Sequence, residues 1–172
     1  IADIIDNSIS ANAKEISIEY EWNGKTSYIL ISDDGNGMDC KELVLAMTPG
    51  SKNPEEERAV NDLGRFGMGL KTASFSQCKR LTCITKQINH ATIKRCWDID
   101  FVNQENEWRL LDHVSDSSFV KRIDNQKSGT LVLWEKLDRI VGKKVIGIKQ
   151  CTKLLKSGEG KVLYVANDAD AR

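Results

Sequence analysis

The sequence contains little proline, few aromatic residues and no excess of charge of either sign. Among 172 residues there are two prolines and 6% aromatic residues, whereas 40% of the residues are hydrophobic. That hydrophobic fraction excludes a solvated low-complexity chain and suits one globular domain with a buried core. Because 25 basic side chains balance 25 acidic ones, the chain lacks the basic field on which tight binding of nucleic acid by charge alone depends.

Cysteine pairs and long apolar runs are also missing. The five cysteines and two histidines include no CxxC pair, which argues against a zinc site and against a disulfide framework. We therefore expect reduced thiols in a cytoplasmic protein, or a nuclear one if the source is eukaryotic. No apolar run approaches the roughly 18 residues of a membrane span, and no secretory signal is present. Ile1 already falls inside a helical pattern, so we interpret the chain as part of a longer protein.

The order of the predicted elements indicates an α+β fold rather than a doubly wound parallel sheet. Residues 1–13 have helical spacing, because apolar Ile1, Ile5 and Ile9 recur every four residues, and we expect Ile5 and Ile9 on the core side of the helix. Further helices are predicted at residues 41–47, 67–77 and 144–156. Strands are predicted at residues 15–22, 28–31, 81–87, 91–100, 108–111 and 129–134, with the last two paired. We assign residues 1–157 to one domain and leave residues 158–172 unassigned.

The first helix carries a carboxylate and a carboxamide one turn apart. A spacing of four residues places Asp3 and Asn7 on one face. The carboxylate can accept a proton or align a water molecule, and the amide oxygen is a hard ligand suited to Mg²⁺. The pattern fits water activation beside a metal-bound phosphate, and it also fits a solvated polar stripe on an amphipathic helix.

A short acidic and glycine-containing segment, Asp33–Met38, directly follows a predicted strand. Gly35 and Gly37 allow a ligand to approach the backbone closely or the backbone to adopt positive φ. Asp33, at the strand end, can accept a hydrogen bond from an exocyclic amine; a tight surface turn is the alternative interpretation. The third glycine of the dinucleotide-binding fingerprint is missing.

Three glycines, Gly64, Gly67 and Gly69, immediately precede a predicted helix. Such a segment exposes backbone N–H groups and the positive helix end to an anion, and Lys71 follows two residues later. The pattern differs from a P-loop because Leu70 separates the last glycine from the lysine. A helix cap alone needs one glycine, so the sequence predicts contact with phosphate. The polar stretch before it, residues 49–63, is typical of a long loop or lid.

A fourth segment, Ser128–Leu133, runs into a strand and can present the Thr130 hydroxyl inside a pocket. The order and spacing of the four segments resemble the GHKL ATPase superfamily, named for DNA gyrase, the heat-shock chaperones, the histidine kinases and the MutL mismatch-repair proteins. Residues 48–52 and 63–74 look most similar to the microrchidia (MORC) type and its bacterial relatives. The resemblance implies a two-layer Bergerat-type sandwich, a mixed and mostly antiparallel sheet with helices on one face, and a lid at about residues 48–66.

The resemblance also implies a role for each site residue. Asp3 takes the catalytic position, where the family usually has glutamate, and Asn7 holds Mg²⁺. Asp33 binds the adenine amino group, and Thr130 supports the adenine, often through water. The other residues implied to contact ATP are Gly35, Gly37 and Met38 near the base, and Ser51, Lys52, Gly64, Arg65, Phe66, Gly67, Met68, Gly69 and Lys71 near the phosphates.

Three functions fit this sequence. The first is Mg²⁺-dependent ATP binding with slow hydrolysis, which drives lid closure and conformational change or homodimerisation of a larger protein. Because Asp3 is one methylene shorter than glutamate, a nucleotide-regulated binding module without turnover is the second. The third is a histidine-kinase-type catalytic domain, although such kinases usually carry asparagine rather than a carboxylate in this motif and lack the Ser51–Lys52 pattern. The sequence identifies no client protein or DNA partner.

Overall fold

Five strands form one antiparallel sheet in the computed structural model, which describes residues 1–48 and 69–138. The strands are β1 (Ile16–Glu21), β2 (Tyr28–Asp33), β3 (Cys78–Lys86), β4 (Ile93–Asp98) and β5 (Gly129–Leu137). Their order across the sheet is β1-β2-β5-β3-β4, and neighbouring strands run antiparallel. Both predicted hairpins, β1–β2 and β3–β4, are therefore confirmed.

The register of the sheet brings three strand ends together. Asp33, the last residue of β2, lies opposite Thr130 near the start of β5, and Thr130 lies opposite Thr85 near the end of β3. Residues directly opposite each other in an antiparallel pair project to the same face of the sheet. Three polar side chains are thus neighbours on one face, at one end of the sheet.

Helices cover the two faces of the sheet unequally. The larger core lies between one face and four helices: α1 (Ala2–Ser10), α2 (Cys40–Met47), α3 (Gly69–Phe75) and α4 (Ile99–Glu105). A smaller core on the opposite face lies under α5 (Ser117–Asp124). Side chains alternate along each strand, so Ile29 and Ile31 join the first core and Leu30 joins the second. The α+β class is confirmed, and α5 adds a partial layer that the sequence did not indicate.

The orientation of α1 differs from the predicted one. Ile4 is 2% exposed and Ser8 is 3% exposed, whereas Ile9 is 52% exposed and Ile1 is also exposed. The prediction that Ile9 lies on the core side is therefore wrong, whereas Ile5 is half-buried. Ser8 lies one turn after Ile4, and its hydroxyl donates a hydrogen bond of 2.7 Å to the buried carboxylate of Asp33. That hydrogen bond turns the Ile4–Ser8 side inward, because a buried carboxylate requires donors.

The second half of the chain contains two further corrections. The strand predicted at residues 91–100 ends at Asp98, whose side chain caps α4 by accepting from the Asp100 N–H at 3.1 Å. The predicted pairing of residues 108–111 with 129–134 is wrong, because β5 pairs with β2 and β3 while Leu111 makes only an isolated bridge to Cys96. Trp108 instead packs edge-on against Trp97.

Other predictions fall on residues outside the described ranges. These are the lid, apart from Thr48, the helix at 144–156, the domain end at residue 157 and Cys151. Four cysteines within the described residues are free thiols: Cys40, Cys78, Cys83 and Cys96. Of the helices in the described part of the chain, none has both the length and the apolar character needed to cross a membrane.

Replacing Ile4 should destabilise the protein far more than replacing Ile9. Ile4→Ala removes methyl groups from the core and leaves a cavity, so we expect the free energy of unfolding to fall by about 2–5 kcal/mol. Ile9→Ala changes a largely exposed side chain, so we expect a loss below about 1 kcal/mol. Urea denaturation followed by circular dichroism measures both losses. Equal losses, or a larger loss for Ile9→Ala, would contradict this orientation of α1.

Candidate nucleotide-binding site

The site centres on the carboxylate of Asp33, which is 7% exposed at the end of β2. Its Oδ2 accepts a hydrogen bond from the Ser8 hydroxyl at 2.7 Å. Its Oδ1 accepts from the backbone N–H of Gly35 at 3.0 Å and from that of Thr130 at 3.2 Å. A carboxylate offers about four acceptor positions. Three protein donors fill most of them, so by this count one acceptor position is left.

The pKa of Asp33 reflects two opposing influences. Burial raises the pKa of this carboxyl above its ordinary value, because a charged group loses solvation there. The hydrogen bonds from Ser8, Gly35 and Thr130 act in the opposite direction, since they favour the ionised form. The net shift is upward. The carboxylate is therefore poorly solvated, and an additional donor from a ligand would stabilise its charge.

The adjacent carboxylate, that of Asp34, bonds to the backbone of a neighbouring turn. It is exposed, and its Oδ1 accepts from the backbone N–H groups of Lys14 at 2.7 Å and Glu15 at 2.9 Å. These hydrogen bonds lower the pKa of Asp34. Asp34 thus fastens the turn between α1 and β1 to the loop that follows β2, while Asp33 faces the core.

The loop after β2 approaches other backbone segments so closely that glycine is required. At Gly37, where φ is +69°, a Cβ atom would lie 2.0 Å from the carbonyl oxygen of Lys86. At Gly35, a Cβ atom would lie 2.9 Å from the carbonyl oxygen of Ala11 and 3.0 Å from Asp33 Oδ1. The loop is consequently held between α1 and the end of β3. The two glycines named from the sequence permit these contacts.

Met38 connects this loop to the two strands beside Asp33. Its backbone N–H donates to the Thr85 hydroxyl at 2.9 Å. The same hydroxyl donates to the carbonyl of Gly129 at 3.0 Å and lies 3.1 Å from the hydroxyl of Thr130. Asp39, which follows Met38, caps α2 by accepting from the N–H of Glu42 at 2.8 Å. The residues near the predicted adenine position therefore form one connected network.

Asp3 and Asn7 lie on the exposed side of α1, one turn apart. Asn7 directly precedes Ser8, so this polar pair lies on the helix that also contacts Asp33. Lys71 is 4% exposed in α3, and its ammonium donates to the carbonyl of Thr48 at 2.6 Å. Lys71 is thus bonded to Thr48, the first residue of the predicted lid. Gly69 begins α3, close to the predicted start of that helix.

Seven predicted ligand contacts lie outside the described residues: Ser51, Lys52, Gly64, Arg65, Phe66, Gly67 and Met68.

Two residues of the hydrogen-bond network, Ser8 and Thr85, were not identified from the sequence. Ser8 could have been found from its spacing of four from Ile4, and Thr85 from its position at the end of a buried strand. Neither signal is specific, because a serine in a helix and a threonine in a strand are both common.

The amide oxygen of Asn7 on α1 fits a metal ion that arrives together with a phosphate group. In the described part of the chain, no group of three or more His, Cys, Asp or Glu side chains is placed to hold a metal ion. Mg²⁺ usually retains several waters and binds through one or two protein oxygens together with substrate phosphates. The exposed amide oxygen of Asn7 suits that mode of binding.

Comparison with known families agrees with this architecture. The family described as "Histidine kinase-, DNA gyrase B-, and HSP90-like ATPase" matches residues 1–130. The match covers well over half of the chain, so the protein belongs to this ATPase family. The resemblance to the GHKL superfamily, with its likeness to MORC and MutL proteins, is confirmed. ATP binding and hydrolysis are activities of the family as a whole.

Individual relatives match a limited part of their own length. ATPase morc-1 of Caenorhabditis elegans is 30% identical over 87 residues, which cover 51% of this chain and 10% of that protein. The DNA mismatch repair protein MutL of Thermotoga maritima is 32% identical over 88 residues, covering 50% of this chain and 17% of that protein. MutL of Buchnera aphidicola is 37% identical over 89 residues, covering 49% of this chain and 15% of that protein. The aligned region is thus a small part of each curated relative.

Proposed function

We propose that this chain binds ATP with its adenine at the end of β2, where the Asp33 carboxylate accepts a hydrogen bond from the exocyclic amino group. The observation that supports this most directly is a buried carboxylate with three protein donors, one fewer than it can accept. An amino group entering there would replace solvation that the carboxylate lost on burial. Gly35 and Thr130 bond to the same carboxylate, and Gly37 and Met38 would line the base from the loop that follows β2.

The phosphates would extend from the adenine toward α1 and α3. Asn7 would hold Mg²⁺, which neutralises phosphate charge when bound. Lys71, Gly69 and the residues from Gly64 to Met68 would contact the phosphates, with Ser51 and Lys52 joining them when the lid closes. The exposure of Asn7 and the position of Lys71 beside Thr48, where the predicted lid begins, support this placement.

We also propose slow hydrolysis, in which Asp3 aligns or deprotonates the attacking water. Asp3 is exposed on the same helix as Asn7 and one turn before it, which suits a water beside a metal-bound phosphate. Lid closure and conformational change or homodimerisation of a longer protein, in the cytoplasm or nucleus, would follow nucleotide binding. The ATPase family match and the relative named ATPase morc-1 support the hydrolysis part of this proposal at the level of the family.

The short side chain at the catalytic position favours a second candidate, a nucleotide switch without turnover. An aspartate reaches one methylene less far than the glutamate usual in the family. In this alternative, ATP binding alone would change the conformation of the larger protein. A histidine-kinase-type reaction is less well supported, because a carboxylate stands at position 3.

Exchanging Asp33 for asparagine should weaken ATP binding without unfolding the domain. The asparagine amide can still bond to Ser8, Gly35 and Thr130. Its NH₂ group, however, would place a hydrogen-bond donor opposite the adenine amino group, which is also a donor. We expect ATP affinity to fall about tenfold to a hundredfold, with the affinity for inorganic tripolyphosphate unchanged. Calorimetry in the presence of Mg²⁺ measures both ligands.

The neighbouring Asp34→Asn exchange is the matched control for this experiment. The asparagine oxygen can still accept from Lys14 and Glu15, so ATP affinity should stay within about twofold of the wild type. If Asp33→Asn binds ATP as tightly as the wild type, the adenine position is wrong.

Exchanging Asp3 for asparagine should slow hydrolysis and spare binding. General-base assistance contributes about 10²–10⁴-fold to a rate, so phosphate release should fall at least about a hundredfold while ATP affinity changes little. Asp6→Asn, on the same helix, is the control and should retain the wild-type rate. Hydrolysis at the wild-type rate by Asp3→Asn would make Asp3 a solvated surface residue. A wild type that binds ATP but releases no phosphate would instead support the switch.

A further inference from the structure

Thr85 lies at the centre of the network but has no part in the ligand contacts proposed above. It is fully buried near the end of β3, directly opposite Thr130 in β5. Three polar groups surround its hydroxyl oxygen: the Met38 N–H at 2.9 Å, the Gly129 carbonyl at 3.0 Å and the Thr130 hydroxyl at 3.1 Å.

The chemistry of these groups fixes the direction of each hydrogen bond. A hydroxyl has one proton to donate and two lone pairs that accept. The Met38 N–H can only donate and the Gly129 carbonyl can only accept, so Thr85 accepts from Met38 and donates to Gly129. Since the Thr85 proton is then used, the contact with Thr130 requires the Thr130 hydroxyl to be the donor. This is the one arrangement in which all three hydrogen bonds form together.

The arrangement determines what Thr130 can offer to a ligand. With its proton directed at Thr85, the Thr130 hydroxyl presents only lone pairs to any other group. The Asp33 carboxylate, bound by the Thr130 N–H at 3.2 Å, is also an acceptor. A ligand or bridging water at this end of the sheet therefore meets two acceptors, the Asp33 carboxylate and the Thr130 hydroxyl. It must donate a hydrogen bond to each group that it contacts.

We propose that Thr85 is a specificity-determining positioning residue, which holds the Thr130 hydroxyl proton and so makes the pocket select a 6-amino purine over a 6-oxo purine. The 6-amino group of adenine donates to these acceptors, whereas a 6-oxo purine bound in the same position places an acceptor at C6 and carries its proton on N1 instead. The inference deepens the proposed function and rests on it, because the base must lie beside Asp33 and Thr130. Acceptors left unpaired in a buried site are the usual source of strong discrimination.

Thr85 also helps to hold the loop after β2, and the experiment must distinguish this structural effect from an effect on purine selectivity. Its bond to the Met38 N–H fastens the loop to β3, at the place where Gly37 approaches Lys86. Loss of this bond leaves a partly buried N–H without its acceptor. A purely structural loss would weaken every nucleotide equally. Loss of selectivity would change the ratio between two purines.

The experiment compares three variants in the full chain. Thr85→Val removes the hydroxyl with little change in volume, and Thr85→Ser keeps it. Thr82→Val is the matched control, since Thr82 is equally buried on the same strand but pairs with Leu133, which lies in the second core. Its Oγ1 has no nitrogen or oxygen partner among the described residues. Calorimetry with Mg²⁺ measures affinities for ATP, inosine triphosphate and tripolyphosphate.

We expect the wild type to bind ATP at least about tenfold more tightly than inosine triphosphate, as a difference of one buried hydrogen bond implies. Thr85→Val should reduce this ratio at least about fivefold and leave tripolyphosphate affinity within about twofold. Thr85→Ser and Thr82→Val should keep the wild-type ratio. If Thr85→Val does not fold, Thr85→Ala is the second hydroxyl-free variant, with the same expectations.

Several results would overturn the inference. An unchanged ratio in the hydroxyl-free variant, or equal weakening of all three ligands, would leave Thr85 with a structural role only. A wild type that binds both purine nucleotides equally would also contradict it, without any variant. Absence of ATP binding by the wild type would overturn the proposed function itself, which is a different observation from lost selectivity.

Discussion

The burial of one carboxylate, that of Asp33, is the constraint on which the rest of the site depends. A charged group with 7% exposure requires donors, and here the donors come from three separate parts of the chain. Ser8 supplies one from α1, Gly35 one from the loop after β2, and Thr130 one from β5. The carboxylate therefore joins a helix, a loop and a strand, and it remains able to accept one more hydrogen bond.

Backbone segments pack closely beside Asp33 and along the loop that follows it. A Cβ atom at Gly129, where φ is +146°, would lie 2.2 Å from the carbonyl oxygen of Asp33, and one at Gly37 would lie 2.0 Å from that of Lys86. Thr85 completes the arrangement by bonding to Met38 and Gly129 on either side. Rigid elements thus hold the predicted adenine position, which is the condition for recognising a base by hydrogen-bond direction.

Local patterns in the sequence predicted most of the fold but not the orientation of its parts. The strands that carry Asp33 and Thr130 are short apolar runs next to turn residues, and the spacing of the motifs predicted the family. The orientation of α1 was missed because the spacing of Ile1, Ile5 and Ile9 fits a helix and gives no reason to place the Ile4–Ser8 side inward. The decisive contact joins Ser8 to Asp33, 25 residues away in sequence, and periodicity within a helix carries no information about it. The helix α5 was missed although Asp116 caps it and Phe119 and Ile123 are spaced by four residues.

Amide hydrogen exchange, followed by NMR, tests the central claim most directly, because the Gly35, Met38 and Thr130 N–H groups all donate within this network. The account predicts that these three amides exchange at least about a hundredfold more slowly than in an unstructured peptide without nucleotide, and more slowly still with ATP. The Asn23 N–H, which donates to the Ser27 hydroxyl away from the site, should not respond to ATP. Rapid exchange of the three amides without nucleotide, or no further protection at saturating ATP, would contradict a preformed site organised by Asp33.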